Sequence, residues 1–159
     1  LKPLFLKFML VLEMAVLIGR ELTSVQETET LTAIAGIGLG LELTLRDVQS
    51  RLKEKGQPWE RAKAFDGSCP LSPFVEIDGR DIQKIDVSLW RNGVLQQQGN
   101  TRDMLFTVTA LLSDISQCFT LLPGDVVMTG TPAGVGPLQS GDQLKVELAD
   151  LLQLETTVA

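Results

Sequence analysis

The sequence predicts one mixed α/β domain, spanning residues 1–159, in which strand predominates. Three observations carry this. The 159 residues, 44% hydrophobic and 21% charged, suffice for one ordinary core, and no repeat, low-complexity tract or Pro/Ser-rich linker divides them. Short apolar or alternating runs recur between Gly, Pro, Asn and Asp clusters, the pattern of strands joined by tight turns. Helical signals are confined to a few stretches, around 24–35, 46–55 and 103–117.

The opening stretch resembles a secretory leader, with Lys2 and Lys7 before apolar residues. Glu13 interrupts it, no small-residue cleavage site follows, and the run is too short to span a bilayer. A buried strand rich in Val, Leu and Ile, ending at Gly19, is the better reading. The chain opens on Leu, so a portion upstream of it is expected. Ser24-Val-Gln-Glu27 reads as a capping box starting a helix to about Ala35, broken by Gly36-Ile-Gly38-Leu-Gly40. This GxGxG precedes apparent strand residues instead of opening a helix after a strand, so it signals close backbone packing and not a dinucleotide.

A polar helix over 46–55 stops at Gly56. Residues 85–98 form a hairpin about Asn92-Gly93, the preferred type I′ pair. Asn100-Thr101 caps a helix over 103–117, whose Met104, Val108, Leu111, Leu112 and Ile115 recur at helical spacing as a core face. The tail reads as strands separated by Pro123-Gly-Asp125, a Gly-rich loop over 130–136, and Ser140-Gly-Asp142.

Composition excludes whole classes of chemistry. With no histidine, the chain holds no Ser-His-Asp or Cys-His machinery, no imidazole base and no His-ligated zinc. Twenty acidic against 14 basic residues, a formal charge of -6, argue against a phosphate-tracking surface and so against nucleic acid. Cys69 and Cys118 match no metal spacing and read as two buried thiols in a reducing compartment.

Four stretches concentrate more special residues than a core requires. In Val11-Leu-Glu13 a strand would aim positions 11 and 13 to one face, and a carboxylate in so apolar a run needs a cation, a substrate or an ion-pair partner. In Leu41-Glu-Leu-Thr-Leu-Arg-Asp-Val-Gln49, Arg46 and Gln49 share a helical face if the helix has begun. Lys63, among Trp59, Phe65 and Cys69, reads either as a cation for an anionic intermediate or as a solvated loop lysine. Thr129-Gly-Thr-Pro-Ala-Gly-Val-Gly136 reads either as an anion-binding nest or as a tight turn. It lacks the Lys-Ser/Thr of a P-loop, so a nucleotide has little support.

Together, in this order, the blocks LTLRDVQ, GQPWERAKAFDGSCPLSPF, QGNTRDM and LLPGDVVMTGTPAGVGPLQSGD resemble the fumarylacetoacetate hydrolase family, nearest its acylpyruvase and oxaloacetate decarboxylase branch. The resemblance runs from about Leu12 to the C-terminus. It implies a β-rich roll of mixed sheets with flanking helices, a homodimer, and a cytoplasmic location (mitochondrial in a eukaryote). It also implies Mg²⁺ or Mn²⁺ held at Glu13 and Glu42, and a small 2-oxo acid facing Arg46, Gln49, Lys63, Gly130 and Thr131. The implied chemistry is hydrolysis of a C–C bond or decarboxylation, with isomerisation or a non-catalytic member as the alternative. Oxygen ligands suit such a hard cation.

Three departures qualify the match. Val11 stands where the family carries a third ligand, and Glu42 replaces an Asp. The family's upstream segment, whose His and Glu activate water, has no counterpart in these residues. Hydrolysis, which needs that base, is therefore expected to suffer more than decarboxylation or keto–enol isomerisation.

Overall fold

The computed structural model describes residues 7–159, so the first six residues of the opening stretch lie outside the described residues. Ten strands and four α-helices are formed among the described residues. The strands are β1 (Phe8–Leu10), β2 (Leu12–Ile18), β3 (Ile34–Leu41), β4 (Thr44–Leu45), β5 (Asp86–Arg91), β6 (Val94–Asn100), β7 (Val126–Met128), β8 (Gly136–Leu138), β9 (Gln143–Leu148) and β10 (Leu152–Thr157). The helices are α1 (Glu27–Thr30), α2 (Arg46–Glu54), α3 (Glu60–Lys63) and α4 (Val108–Cys118). None of the described helices is long and apolar enough to cross a membrane.

Three sheets result, ordered β4-β1-β8, β10-β9-β5-β6 and β3-β2-β7, with antiparallel pairing throughout the described residues. The mixed α/β, strand-rich class is as the sequence predicts. One core lies between the sheets, built from Leu12, Met14, Val16 and Ile18 of β2, Val87 and Leu89 of β5, Leu144, Val146 and Leu148 of β9, and Val108 and Leu112 of α4. β2 is buried at all but one of its seven residues, which explains its near-continuous apolar run. The hairpin turns at Asn92 (φ 53°) and Gly93 (φ 77°), both in the left-handed region that a type I′ turn requires.

Two helices begin elsewhere than the sequence suggests. The helix expected over 24–35 is one turn of α1 followed by a 3₁₀ turn (Leu31–Ala33), after which Ile34 already belongs to β3. The capping box is real but shifted, closing between Gln26 and Glu29, while Ser24 adopts φ 50°. Helix propensity is weak here, with Thr at 28, 30 and 32, and strand pairing with β2 outcompetes it. The helix expected from 103 starts at Val108, capped by the Thr107 hydroxyl, which accepts from Ala110 N at 3.1 Å. Asn100 caps only a 3₁₀ turn (Thr101–Asp103), through Arg102 N. Both cysteines are exposed and free, correcting the buried reading.

The glycines at 36, 38 and 40 lie inside β3 and are packing devices. A Cβ on Gly38 would sit 2.8 Å from Ser72 Oγ, and one on Gly36 would sit 2.9 Å from the Val75 carbonyl. Their lack of side chains lets residues 68–75 run along the free edge of β3, bonded through Leu43 N to Ser68 O, Leu41 N to Pro70 O and Val75 N to Ile37 O. That strap carries Cys69 and the end of the GQPW block alongside residues 41–43, and so beside Glu42.

Candidate metal and oxo-acid site

The β2–β3 register fixes which side chains meet. Glu13 pairs with Gly40 and Leu12 with Leu41, and Glu42 N donates to the Val11 carbonyl at 2.8 Å, so Val11 lies opposite Glu42. Side chains of paired residues emerge on the same face, and the period is two. Val11, Glu13 and Glu42 therefore share one face, with Glu42 directly across from Val11 and diagonal to Glu13. Opposite positions have Cβ atoms about 4.5–5.5 Å apart, and diagonal ones remain within reach of long side chains.

Glu13 is buried, and its Oε2 accepts from Gly130 N at 2.7 Å. Burial pushes its carboxyl above the usual range; the Gly130 N–H opposes this, the nearby Glu42 charge adds to it, and Lys63 again opposes it. Glu42 Oε2 takes Lys63 Nζ at 2.7 Å, with both side chains about one-third exposed. Glu13, Glu42 and Lys63 thus form one electrostatic unit. Lys63, the last residue of α3, is brought there because α3 packs on β4 and α2. Phe65 follows on the same segment, edge-on to Phe8 of β1 at 5.9 Å.

Gly130 has φ 96°, a conformation costly for any side chain but glycine's, and it is this turn that directs the N–H back to Glu13. Thr131 Oγ1 donates to the Leu12 carbonyl at 2.6 Å, so its proton points into the protein. Arg46 and Gln49 do share a helical face: Arg46 Nη1 donates to Gln49 Oε1 at 2.8 Å, with Gln49 buried in the first turns of α2. The remaining donors of that guanidinium and the Gln49 amide nitrogen belong to α2, the helix on which α3 packs.

A divalent cation can be tested against these donors. Two carboxylates converge, one destabilised by burial and by its neighbour's charge, and a cation would relieve both effects. Val11 supplies hydrocarbon at the third position, and among the described residues no three or more Asp, Glu or Cys converge in coordinating geometry. Two carboxylates with water and a chelating acid are nonetheless an ordinary donor set for Mg²⁺ or Mn²⁺. The residues fit such an ion as a two-carboxylate site.

Cys69 stands near enough for Glu13 and Glu42 to affect it; although the residue is exposed, partial desolvation of its sulfur, together with those two charges, pushes its thiol up. It is held as the thiol, not as a nucleophilic thiolate. Sequence reasoning missed Gln97, which is almost wholly buried, with its Nε2 on Thr131 Oγ1 at 2.9 Å. It lies in a Gln96-Gln97-Gln98 run, where the strand period puts either Gln97 or the pair Gln96 and Gln98 inward without saying which. A groove of about 560 Å³ adjoins the 129–133 loop, lined by Met14, Met104, Leu105 and Pro132 together with Gly130 and Thr131; neither Glu13 nor Glu42 lines it.

Known proteins bear on this arrangement. The chain is 56% identical over 137 residues to "Oxaloacetate tautomerase YcgM" of Escherichia coli (strain K12), covering 84% of the chain and 62% of that relative's length. Among solved structures, a fumarylacetoacetate hydrolase family protein from Yersinia pestis CO92 matches 100% of this chain and 73% of its own at 48% identity and a TM-score of 0.94. Fumarylpyruvate hydrolase from Pseudomonas aeruginosa, solved in complex with Mn²⁺ and pyruvate, matches 96% of this chain and 66% of its own at 30% identity and a TM-score of 0.91. The family model described as "Fumarylacetoacetate (FAA) hydrolase C-terminal" matches residues 7–159, and the chain belongs to the fumarylacetoacetate hydrolase family.

Proposed function

We propose that the chain acts on a small 2-oxo acid with a divalent cation, Mg²⁺ or Mn²⁺, held by Glu13 and Glu42, and that keto–enol isomerisation of an oxaloacetate-like acid is its foremost reaction. The single observation that carries this is the buried Glu13 beside Glu42 on one sheet face, with Lys63 reaching Glu42 from α3: two carboxylates and an ammonium in one electrostatic unit. The tautomerase relative and the neighbour holding Mn²⁺ and pyruvate supply the reaction class and ligand class. When bound, the cation supplies a positive centre that polarises the 2-oxo group.

The chain's own residues do the rest. Lys63 Nζ places positive charge and a proton donor beside the oxygen that gains charge as the enolate develops. Arg46 and the Gln49 amide nitrogen orient the acid, and the 129–131 loop meets its carboxylate through the Thr131 backbone N–H, the Thr129 and Gly130 N–H groups being given to Met14 and Glu13 and the Thr131 hydroxyl proton to Leu12. Decarboxylation uses the same stabilised anion. C–C hydrolysis also needs a base for water, and none of these groups is an imidazole. We extend the reading to a homodimer in solution.

The test is to titrate the purified chain with Mn²⁺, then follow enol disappearance and pyruvate release from oxaloacetate, with acetylpyruvate cleavage in parallel. Faster enol–keto exchange than either cleavage supports the proposal; faster acetylpyruvate cleavage overturns the ranking, and no Mn²⁺ binding at millimolar concentration overturns the metal site. Val11, a buried hydrocarbon facing Glu42, favours a second reading: a member that keeps the fold but not a working metal site. The same titration separates the two.

A further inference from the structure

Gln97 lies on β6, in a different sheet from β2, yet its side chain reaches both segments that build the site. Its Oε1 accepts from Leu12 N at 2.9 Å, and its Nε2 donates to Thr131 Oγ1 at 2.9 Å and to the Pro132 carbonyl at 3.0 Å. The residue is 1% exposed and its bond to Leu12 N is buried, while the two to the loop are partly buried, so a broken bond leaves the Gln97 amide desolvated and unpaired.

The β2–β7 ladder explains why an amide is needed. Its last pair is Ala15 with Met128, after which Thr129 N and Oγ1 still bond the Met14 carbonyl at 3.1 and 2.9 Å. Two residues further, the Leu12 N–H and C=O on that same edge would meet more of β7. Instead the Gln97 carbonyl takes the N–H and the Thr131 hydroxyl takes the C=O, at 2.6 Å. Two side chains complete the ladder, so the backbone is free to leave the sheet at Gly130 and send its N–H to Glu13. Close packing holds the loop against β6 independently: a Cβ on Gly99 would lie 2.7 Å from Pro132 Cβ.

We infer that Gln97 is a positioning residue: its buried amide clamps the 129–132 loop to β2 and thereby sets the affinity of the site for the acid. The ligand side of this inference rests on the proposed function; the clamp itself does not. The loop faces the carboxylate end of the acid, whose charge is unchanged while the enolate forms, so loosening it weakens ground state and transition state alike. The signature is therefore a raised KM with kcat nearly kept.

Two variants test it. Gln97→Met removes all three bonds at similar volume, and Gln97→Glu keeps the acceptor for Leu12 N while removing or halving the donors to the loop. In Gln97→Met the KM for oxaloacetate is expected to rise about tenfold with kcat within about threefold, and in Gln97→Glu by less. Amide exchange at 129–132 is expected to quicken in both, while exchange in the 86–100 hairpin stays as in the wild type. Pyruvate and Mn²⁺ binding to the wild type is measured first. A wild type that binds neither overturns the proposed function, whatever the loop does. A wild type that binds both, with variants whose loop exchange and KM are unchanged, overturns the role of Gln97, as does a fall in kcat alone. Should Gln97→Met not fold, Gln97→Glu carries the same readouts.

Discussion

Val11→Glu is the most informative single change, because the register specifies its consequence. The new carboxylate would emerge opposite Glu42 and two residues from Glu13, on the same face. Without metal this is unfavourable. At separations of about 6 Å and an effective dielectric near 20, each like-charge pair costs roughly 3 kcal/mol before protonation relieves it. Glu13 is already pushed up by burial and by Glu42, and a third carboxylate on that face would push it further in the same direction. The metal-free variant is therefore expected to lose about 2–4 kcal/mol, a fall of roughly 5–12 °C in Tm for a domain of this size. Mn²⁺ reverses the sign. Affinity at oxygen sites follows ligand charge, so binding at least about tenfold tighter than in the wild type is expected. At a hundred times the Kd, the ion returns about 2.7 kcal/mol of stability. Calorimetric titration with Mn²⁺ and thermal unfolding with and without it read both effects. A variant that binds Mn²⁺ no more tightly than the wild type would refute the convergence of positions 11, 13 and 42.

The other expectations concern Lys63, Gly130 and pH. Lys63→Met should lower kcat for oxaloacetate about a hundredfold by removing a preorganised donor, while Mn²⁺ binds slightly more tightly because a competing cation has left Glu42; steady-state kinetics and titration distinguish this from a purely structural lysine. Gly130→Ala forces a side chain onto φ 96° and should cost about 1–3 kcal/mol by urea unfolding, with weaker acid binding; an unchanged midpoint would contradict the backbone argument. For pH, the folded state raises the Glu13 carboxyl above its ordinary value near 4.5. Its contribution is thus fully present below about pH 4.5 and is lost as pH rises through the raised value. Asp142, held low by Asn92, the Gln139 N–H and Arg91, works oppositely: its contribution is present above its ordinary value near 3.8 and lost as pH falls through the lowered one. Urea midpoints across this range for Glu13→Gln should lack the decline at the upper end, and a decline identical to the wild type's would assign it to another group.

How much of the fold and the site is legible in the sequence depends on whether local or distant residues decide. The Asn92-Gly93 turn and the 46–54 helix are set by their own residues, so the sequence foretells them within a residue or two. The capping signals at 24 and 100 are genuine but ambiguous, because a cap says where a turn begins and not how far the helix continues. At 34–41 the decision comes from β2, and at 103–107 the chain stays out of the helix with Leu105 and Phe106 exposed, so spacing alone misplaces the start. In the site, the shared face of positions 11 and 13 follows from strand period. The role of Gln97 does not, since its partners Leu12 and Thr131 lie 85 and 34 residues away. Nor does the inward-pointing Thr131 proton, which depends on a strand edge that sequence cannot display.

The charge balance of the site gives Val11 a consequence beyond a lost ligand. Glu13 and Glu42 with Lys63 carry one net negative charge when both acids are ionised. A divalent cation alone would leave that trio with net positive charge in a partly buried place, whereas a cation accompanied by an anionic acid would leave it balanced. With an acid at position 11 the ion alone would suffice. As the sequence stands, ion and acid should bind together better than either binds alone, and linkage requires the enhancement to be equal in both directions. A coupling of about 1–3 kcal/mol is the ordinary range for such pairs of ligands. Titrating Mn²⁺ with and without saturating pyruvate, and pyruvate with and without Mn²⁺, should give the same factor, and Val11→Glu should shrink it. Independent binding of the two in the wild type would mean that the acid does not complete the site, and that Glu13 and Glu42 hold their cation without it.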